Sequence, residues 1–219
     1  MVAPPNVLKA ENKTMRRKNF KSLPVLMLVI AVMTPLRSHA AEVRPLIKAG
    51  FNFGGETVVS VSVSGAAGGS TKSIRANEGI FVGGGASILM DSKAFEVEVS
   101  ASYKFATIGA QNGHIDWTVV PLDALVFYRL PYFRLGGGLT YHLGPTLKGS
   151  AELSDLNAKY NDALGFVLQA DYALGNQFNF GLRYTSVDYK AKSIQTNPLA
   201  TPATNAKTNG IGIVFSMSF

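Results

Sequence analysis

His114 and His142 are the two imidazoles beyond residue 40, and beside a suitable nucleophile either would serve acid–base or acyl-transfer chemistry. Such chemistry needs a nucleophile, a base and an orienting acid close together. His114 has Asp116 beside it in what reads as a short loop, and His142 runs into Leu143 and Gly144 with no adjacent serine. With no second role filled, each histidine reads as solvated or satisfied by its surroundings, and the chain reads as a non-enzyme. The triplets Gly83-Gly84-Gly85 and Gly136-Gly137-Gly138 have the composition of a phosphate cradle, but that motif opens a helix and no helical period follows either one. The sequence contains no cysteine, which excludes a disulfide scaffold and any thiolate metal site. No metal and no cofactor is expected.

The more informative chemistry is a set of charges held in one phase. Phe95, Val97, Val99, Ala101, Tyr103 and Phe105 alternate with Glu96, Glu98, Ser100, Ser102 and Lys104. Successive side chains of a strand point to opposite faces, so one face of this segment is apolar and the other polar. The same polar phase elsewhere collects Lys48, Glu96, Glu98, Asp123, Arg129, Arg134, Asp171 and Arg183, four acids and four bases, with Lys104 and His142 nearer one end.

Eight segments of period-two alternation position these residues: Ile47 to Phe53, Ile80 to Met90, Phe95 to Phe105, Ile115 to Leu130, Phe133 to Leu143, Leu164 to Leu174, Phe178 to Tyr184, and Asn209 to Phe219. The first stays in step as far as Val59, Val61 and Val63, which reads as a long ribbon projecting past the others. The fourth changes phase, with Ile115, Trp117 and Val119 apolar at odd positions and Leu122, Ala124, Val126 and Tyr128 at even ones. A β-bulge at Pro121 accounts for the inversion, since an extra residue swaps the faces and frees a position where proline is tolerated.

Short turns at Asp91 to Ala94, Arg129 to Tyr132 and Gly175 to Gln177 alternate with longer links at Gly65 to Asn77, Ala106 to Gly113, Gly144 to Asp162 and Ala191 to Lys207. Pairing Met90 with Phe95, Tyr128 with Phe133 and Leu174 with Phe178 sets apolar residues opposite apolar residues. The pattern is all-β: an eight-stranded antiparallel up-and-down barrel. Eight strands enclose a space barely wide enough for side chains, so the inward charges pair and plug it, Glu96 and Glu98 lying near Arg129 or Arg134. The inward glycines Gly83, Gly85, Gly136 and Gly138 leave room for the long neighbours.

Aromatic residues sort by strand end. Phe95, Tyr128, Phe133, Tyr172, Phe178 and Phe219 fall at the turn ends, whereas Phe53, Tyr103, Phe105, Trp117, Tyr141 and Tyr184 fall towards the loop ends. Two such belts are what a barrel girdled by both membrane interfaces carries.

Residues 1–40 read as a leader. Arg16-Arg17-Lys18-Asn19-Phe20-Lys21 is a positive region, Leu23 to Leu36 an apolar run too short for a membrane helix, and Ser38-His39-Ala40 offers small residues for cleavage after Ala40. Met15 is a plausible true start. The leader holds seven of the 21 bases and one of the 14 acids, leaving 14 against 13 and a net charge of +1 for residues 41–219. A nucleic-acid partner therefore has no electrostatic basis.

On its alternating final strand with Phe215, Met217 and the terminal Phe219, its aromatic belts and its alternation of turn lengths, residues 44–219 resemble a small outer-membrane β-barrel of the eight-stranded OmpA/OmpX-like, or porin-family, kind. The resemblance implies a transmembrane barrel exported to the bacterial outer membrane, with Phe215, Met217 and Phe219 as the signal read by the barrel assembly machinery. It further implies outer-membrane lipid and lipopolysaccharide as partners, a monomer, and a structural or surface-interaction role or limited passage of small solutes. A soluble lipocalin-like barrel is the alternative, with the faces reversed so that apolar residues line a ligand cavity. A lipid-modifying outer-membrane enzyme is the more distant one.

Overall fold

The computed structural model describes residues 41–63, 70–110, 113–175 and 177–219. The leader with its cleavage point, and the part of the first long link at 64–69, lie outside them. Among the described residues the strands are β1 (Glu42–Gly54), β2 (Thr57–Val63), β3 (Ser70–Arg75), β4 (Gly79–Leu89), β5 (Phe95–Ala110), β6 (Gly113–Arg129), β7 (Phe133–Gly149), β8 (Asn157–Tyr160), β9 (Ala163–Leu174), β10 (Phe178–Gln195), β11 (Ala200–Pro202), β12 (Asn205–Lys207) and β13 (Gly210–Ser218). Eight of them close an antiparallel ring in the order β1-β4-β5-β6-β7-β9-β10-β13, with β13 pairing back onto β1. Closure leaves no unpaired edge, the condition a strand structure must meet to span lipid.

The faces are apolar outside and charged inside. Ile47, Leu164, Leu182 and Phe215 are more than half exposed on the outer wall, while Lys48, Glu98, Asp123 and Arg134 are buried within. This is the reverse of a soluble ligand-binding barrel. Both belts appear on the outer wall, with Phe95 against Tyr128 at 5.5 Å and Phe133 against Tyr172 at 5.3 Å at the turn end. Phe53, Tyr103 and Phe105 lie outward towards the loop end.

Leu174 pairs with Phe178, but Tyr128 lies opposite Leu135, and Leu130 N–H bonds to Phe133 O at 2.7 Å. The β6–β7 register thus differs by two residues from the sequence expectation. A slip of two keeps every side chain on its face, so the apolar wall survives.

The expected phase change in the fourth segment is absent from β6. Its odd residues point inward from Ile115 to Phe127, Pro121 included. What changes along the strand is the chemistry of the interior, apolar at the loop end and charged below. The register shift lies across the ladder, between Thr118 and Val120 of β6 and the Leu143–Thr146 stretch of β7. There Gly144 adopts a φ of +54°, a conformation glycine reaches without a Cβ penalty, and inward residues change from even to odd.

The projecting ribbon is also replaced. Gly54 and Gly55, with φ of +92° and +84°, end β1 and turn the chain out of the barrel wall. The strand β2 then pairs with β3 and β11 in a separate small sheet whose Val59 and Val61 are buried. The links expected as polar loops contain β3, β8, β11 and β12.

Candidate functional site: the luminal ion-pair network and its apolar cap

Inward charges from six strands meet in the lumen. Arg134 of β7 is the hub: its Nε donates to Asp171 Oδ2 at 2.6 Å, Nη1 to Glu96 Oε1 at 2.7 Å, and Nη2 to Ser216 Oγ at 2.9 Å, with Glu98 Oε2 at 3.4 Å. Its guanidinium carbon sits 4.1 Å from the Phe127 ring centroid, so the planar group is held by bonds at its edges and by a π-face. Arg129 Nη1 donates to the other oxygen of Glu96 at 2.7 Å. Lys48 Nζ bridges Glu98 Oε1 and Asp123 Oδ2, both at 2.9 Å, and Arg183 Nη2 reaches Asp123 Oδ1 at 2.9 Å. All eight charges drawn from the polar phase therefore stand in one connected set. Only Arg129, at the turn end, keeps as much as a fifth of its side chain exposed. Ser87 of β4 and Ser216 of β13 add hydroxyls, so every wall strand contributes a polar group.

Glycines let this set fit. A Cβ on Gly181 would lie 1.9 Å from Asp171 Oδ1, and one on Gly136 would lie 2.4 Å from Phe127 Cδ1. The room at Gly136 is thus taken by an aromatic ring rather than by a long charged chain. At Gly83 the close neighbours are Ala101 O and Ser102 Oγ, both at 2.3 Å, and at Gly138 the adjacent strand's backbone, Ala124 O at 2.1 Å.

Above the charges the interior becomes apolar. Val58, Val59, Val61 and Ile74 from β2 and β3 pack with Ile115, Trp117 and Val119 of β6, Leu147 of β7, Tyr160 of β8 and Val187 and Tyr189 of β10 in one buried cluster. Trp117, expected in the outer belt, is fully buried here against Tyr160 at 5.5 Å and Tyr189 at 5.6 Å. The Tyr160 hydroxyl donates to Ala203 O at 2.7 Å, and burial pushes its pKa up to about 12. Between cap and charges, Lys104 Nζ donates to Asn77 O at 2.8 Å and to its Oδ1 at 3.2 Å, while His142 Nδ1 hydrogen-bonds the Tyr189 hydroxyl.

His114 lies on the outer wall beyond the belt, with Asp116 Oδ2 3.3 Å from Nε2. The sequence offered no third partner, but the fold brings Ser150 Oγ to 2.7 Å from Nδ1 across 36 residues. Ser150 Oγ also accepts the His114 backbone N–H at 3.0 Å, and Ser150 N–H donates to His114 O at 2.9 Å. Imidazole and carboxylate are about half exposed, at 51% and 42%, so water competes for each bond. The arrangement clasps the ends of β6 and β7 together.

Phe215, Met217 and Phe219 point to the outer wall, with Phe215 packed on Phe180 at 4.7 Å.

No curated protein matches this chain. Among solved structures, Neisserial surface protein A aligns with a TM-score of 0.47 and 10% identity, covering 82% of this chain and 99% of that one. Ail, the attachment invasion locus protein of Yersinia pestis, solved with the heparin analogue sucrose octasulfate, aligns with a TM-score of 0.49 and 12% identity, covering 81% of this chain and 98% of that one. The outer membrane protein beta-barrel domain family matches residues 25–219, and the chain belongs to that family, an eight-stranded barrel of the bacterial outer membrane.

Proposed function

We propose that this protein is a closed-lumen barrel acting in envelope integrity and surface interaction, without catalysis and without a solute path through its centre. The observation that carries the reading is the luminal network: seven ion pairs fill the interior between strands on opposite sides of the ring. A buried charge pair held on several sides is costly to open, because each partner left alone is an uncompensated charge. The apolar cap adds a second closure at the loop end. The chain is exported and cut after Ala40; the barrel assembly machinery reads Phe215, Met217 and Phe219; and the apolar wall contacts outer-membrane lipid and lipopolysaccharide as a monomer.

Planar-bilayer recording of the folded protein is the direct test, with intact-mass analysis of the outer-membrane fraction beside it. The expected result is no steady conductance and a mature chain beginning at Ala41. A large, steady conductance overturns the plug and restores limited solute passage as the function.

A further inference from the structure

The interior charges do not cancel. Lys48, Lys104, Arg129, Arg134 and Arg183 face Glu96, Glu98, Asp123 and Asp171, and among the described residues Lys104 has no carboxylate within ion-pair distance. Its ammonium is buried and spends two of three donors on Asn77. A buried ammonium without a counter-charge is expensive and tends to shed its proton, so an anion held close by is what would keep it charged.

Lys104 lines a cavity of about 10 Å³ between the ion-pair network and the cap, together with Asn52, Ser102, Asp123, His142 and Arg183. That is roughly the space one water-sized sphere needs. Three buried polar atoms of these residues have no hydrogen-bond partner among the described residues: Arg183 Nη1, Ser102 Oγ and Asn52 Oδ1. The first is a donor only, the second can donate, and Asn52 can present either end of its amide, so it does not discriminate. Asp123 does not repel an anion strongly here, because each of its oxygens is already held by a cation. The cavity therefore joins surplus positive charge, unspent donors and room for one atom.

We propose that this cavity binds one monatomic anion of the halide class, held by Lys104, Arg183 and Ser102. The anion balances Lys104 and so steadies Asn77, whose side-chain amide donates to Phe53 O at 3.3 Å and whose backbone N–H donates to Gly54 O at 3.2 Å. Those contacts pin the point where β1 leaves the wall for the cap. The binding rests on the lumen being closed at this level, which conductance tests and the following readouts do not.

The test uses the purified, folded barrel in detergent, with sodium bromide or chloride titrated against sodium gluconate at constant ionic strength. The melting midpoint should rise by a few degrees and saturate at millimolar halide, as a ligand that binds only the folded state requires. Lys104→Met should abolish the halide response, as should Ser102→Val, which fills the cavity from another side. Crystals grown in bromide should show an anomalous peak within reach of Lys104 Nζ and Arg183 Nη1 of the unaltered protein. A water with no anomalous signal at that position, equal midpoints in gluconate and halide, or an undiminished response in Lys104→Met overturns the proposal.

Discussion

The indole of Trp117 meets the ring of Tyr189 edge-on at 5.6 Å, inside the loop end of the barrel and out of reach of lipid. The contact joins β6 to β10 across the lumen, and β2 and β3 supply the aliphatic residues that seal it from outside. An aromatic that the strand pattern assigns to the membrane interface is in fact the centre of a small apolar core next to the luminal ion pairs.

Trp117 is the single tryptophan of the chain, so emission excited at the red edge, where tyrosine does not absorb, reports on it alone. In liposomes the emission should be blue-shifted and quenched by neither acrylamide nor brominated acyl chains. Strong quenching by brominated lipid would return Trp117 to the outer belt.

Arg134→Met should lower stability by about 3–5 kcal/mol, since among the described residues it strips Asp171 of its only ion pair and takes one of two from Glu96 and from Glu98. Arg129→Met should cost distinctly less, because Arg129 is partly exposed and Glu96 retains Arg134. Urea midpoints of the two variants refolded into the same lipid give the comparison, and equal losses would deny Arg134 its place as the hub.

Gly181→Ala should assemble poorly, because the new methyl would lie 1.9 Å from Asp171 Oδ1 and that carboxylate is anchored by Arg134. Gly109→Ala, where a Cβ meets nothing within 4 Å among the described residues, is the control and should assemble normally. Heat-modifiable mobility on gels reads the folded fraction of each; normal folding of the first would show the carboxylate free to move.

Ser150→Ala should cost about 0.5–1.5 kcal/mol, the net worth of a hydrogen bond, and change nothing else. A fluorophosphonate probe should leave Ser150 unlabelled on whole outer membranes. Labelling that disappears in both Ser150→Ala and His114→Ala would turn the clasp into a nucleophile with its base.

Local alternation was enough to lay out the eight wall strands and their antiparallel ring, because a strand's two-residue period assigns each side chain to a face wherever its neighbours agree. It could not decide which face an apolar residue at the loop end belongs to, since Ile115, Trp117 and Val119 look the same to the period whether they meet lipid or a cap. Only the tertiary structure settles that, by folding β2, β3, β8 and β11 over the barrel and making the interior itself apolar there. The same limit placed the register shift at Pro121 rather than at Gly144 across the ladder, because a change of phase in one strand and a change of surroundings read alike in sequence. The approach of Ser150 to His114, and of Lys104 to Asn77, lies between residues far apart in the chain, where no spacing rule reaches.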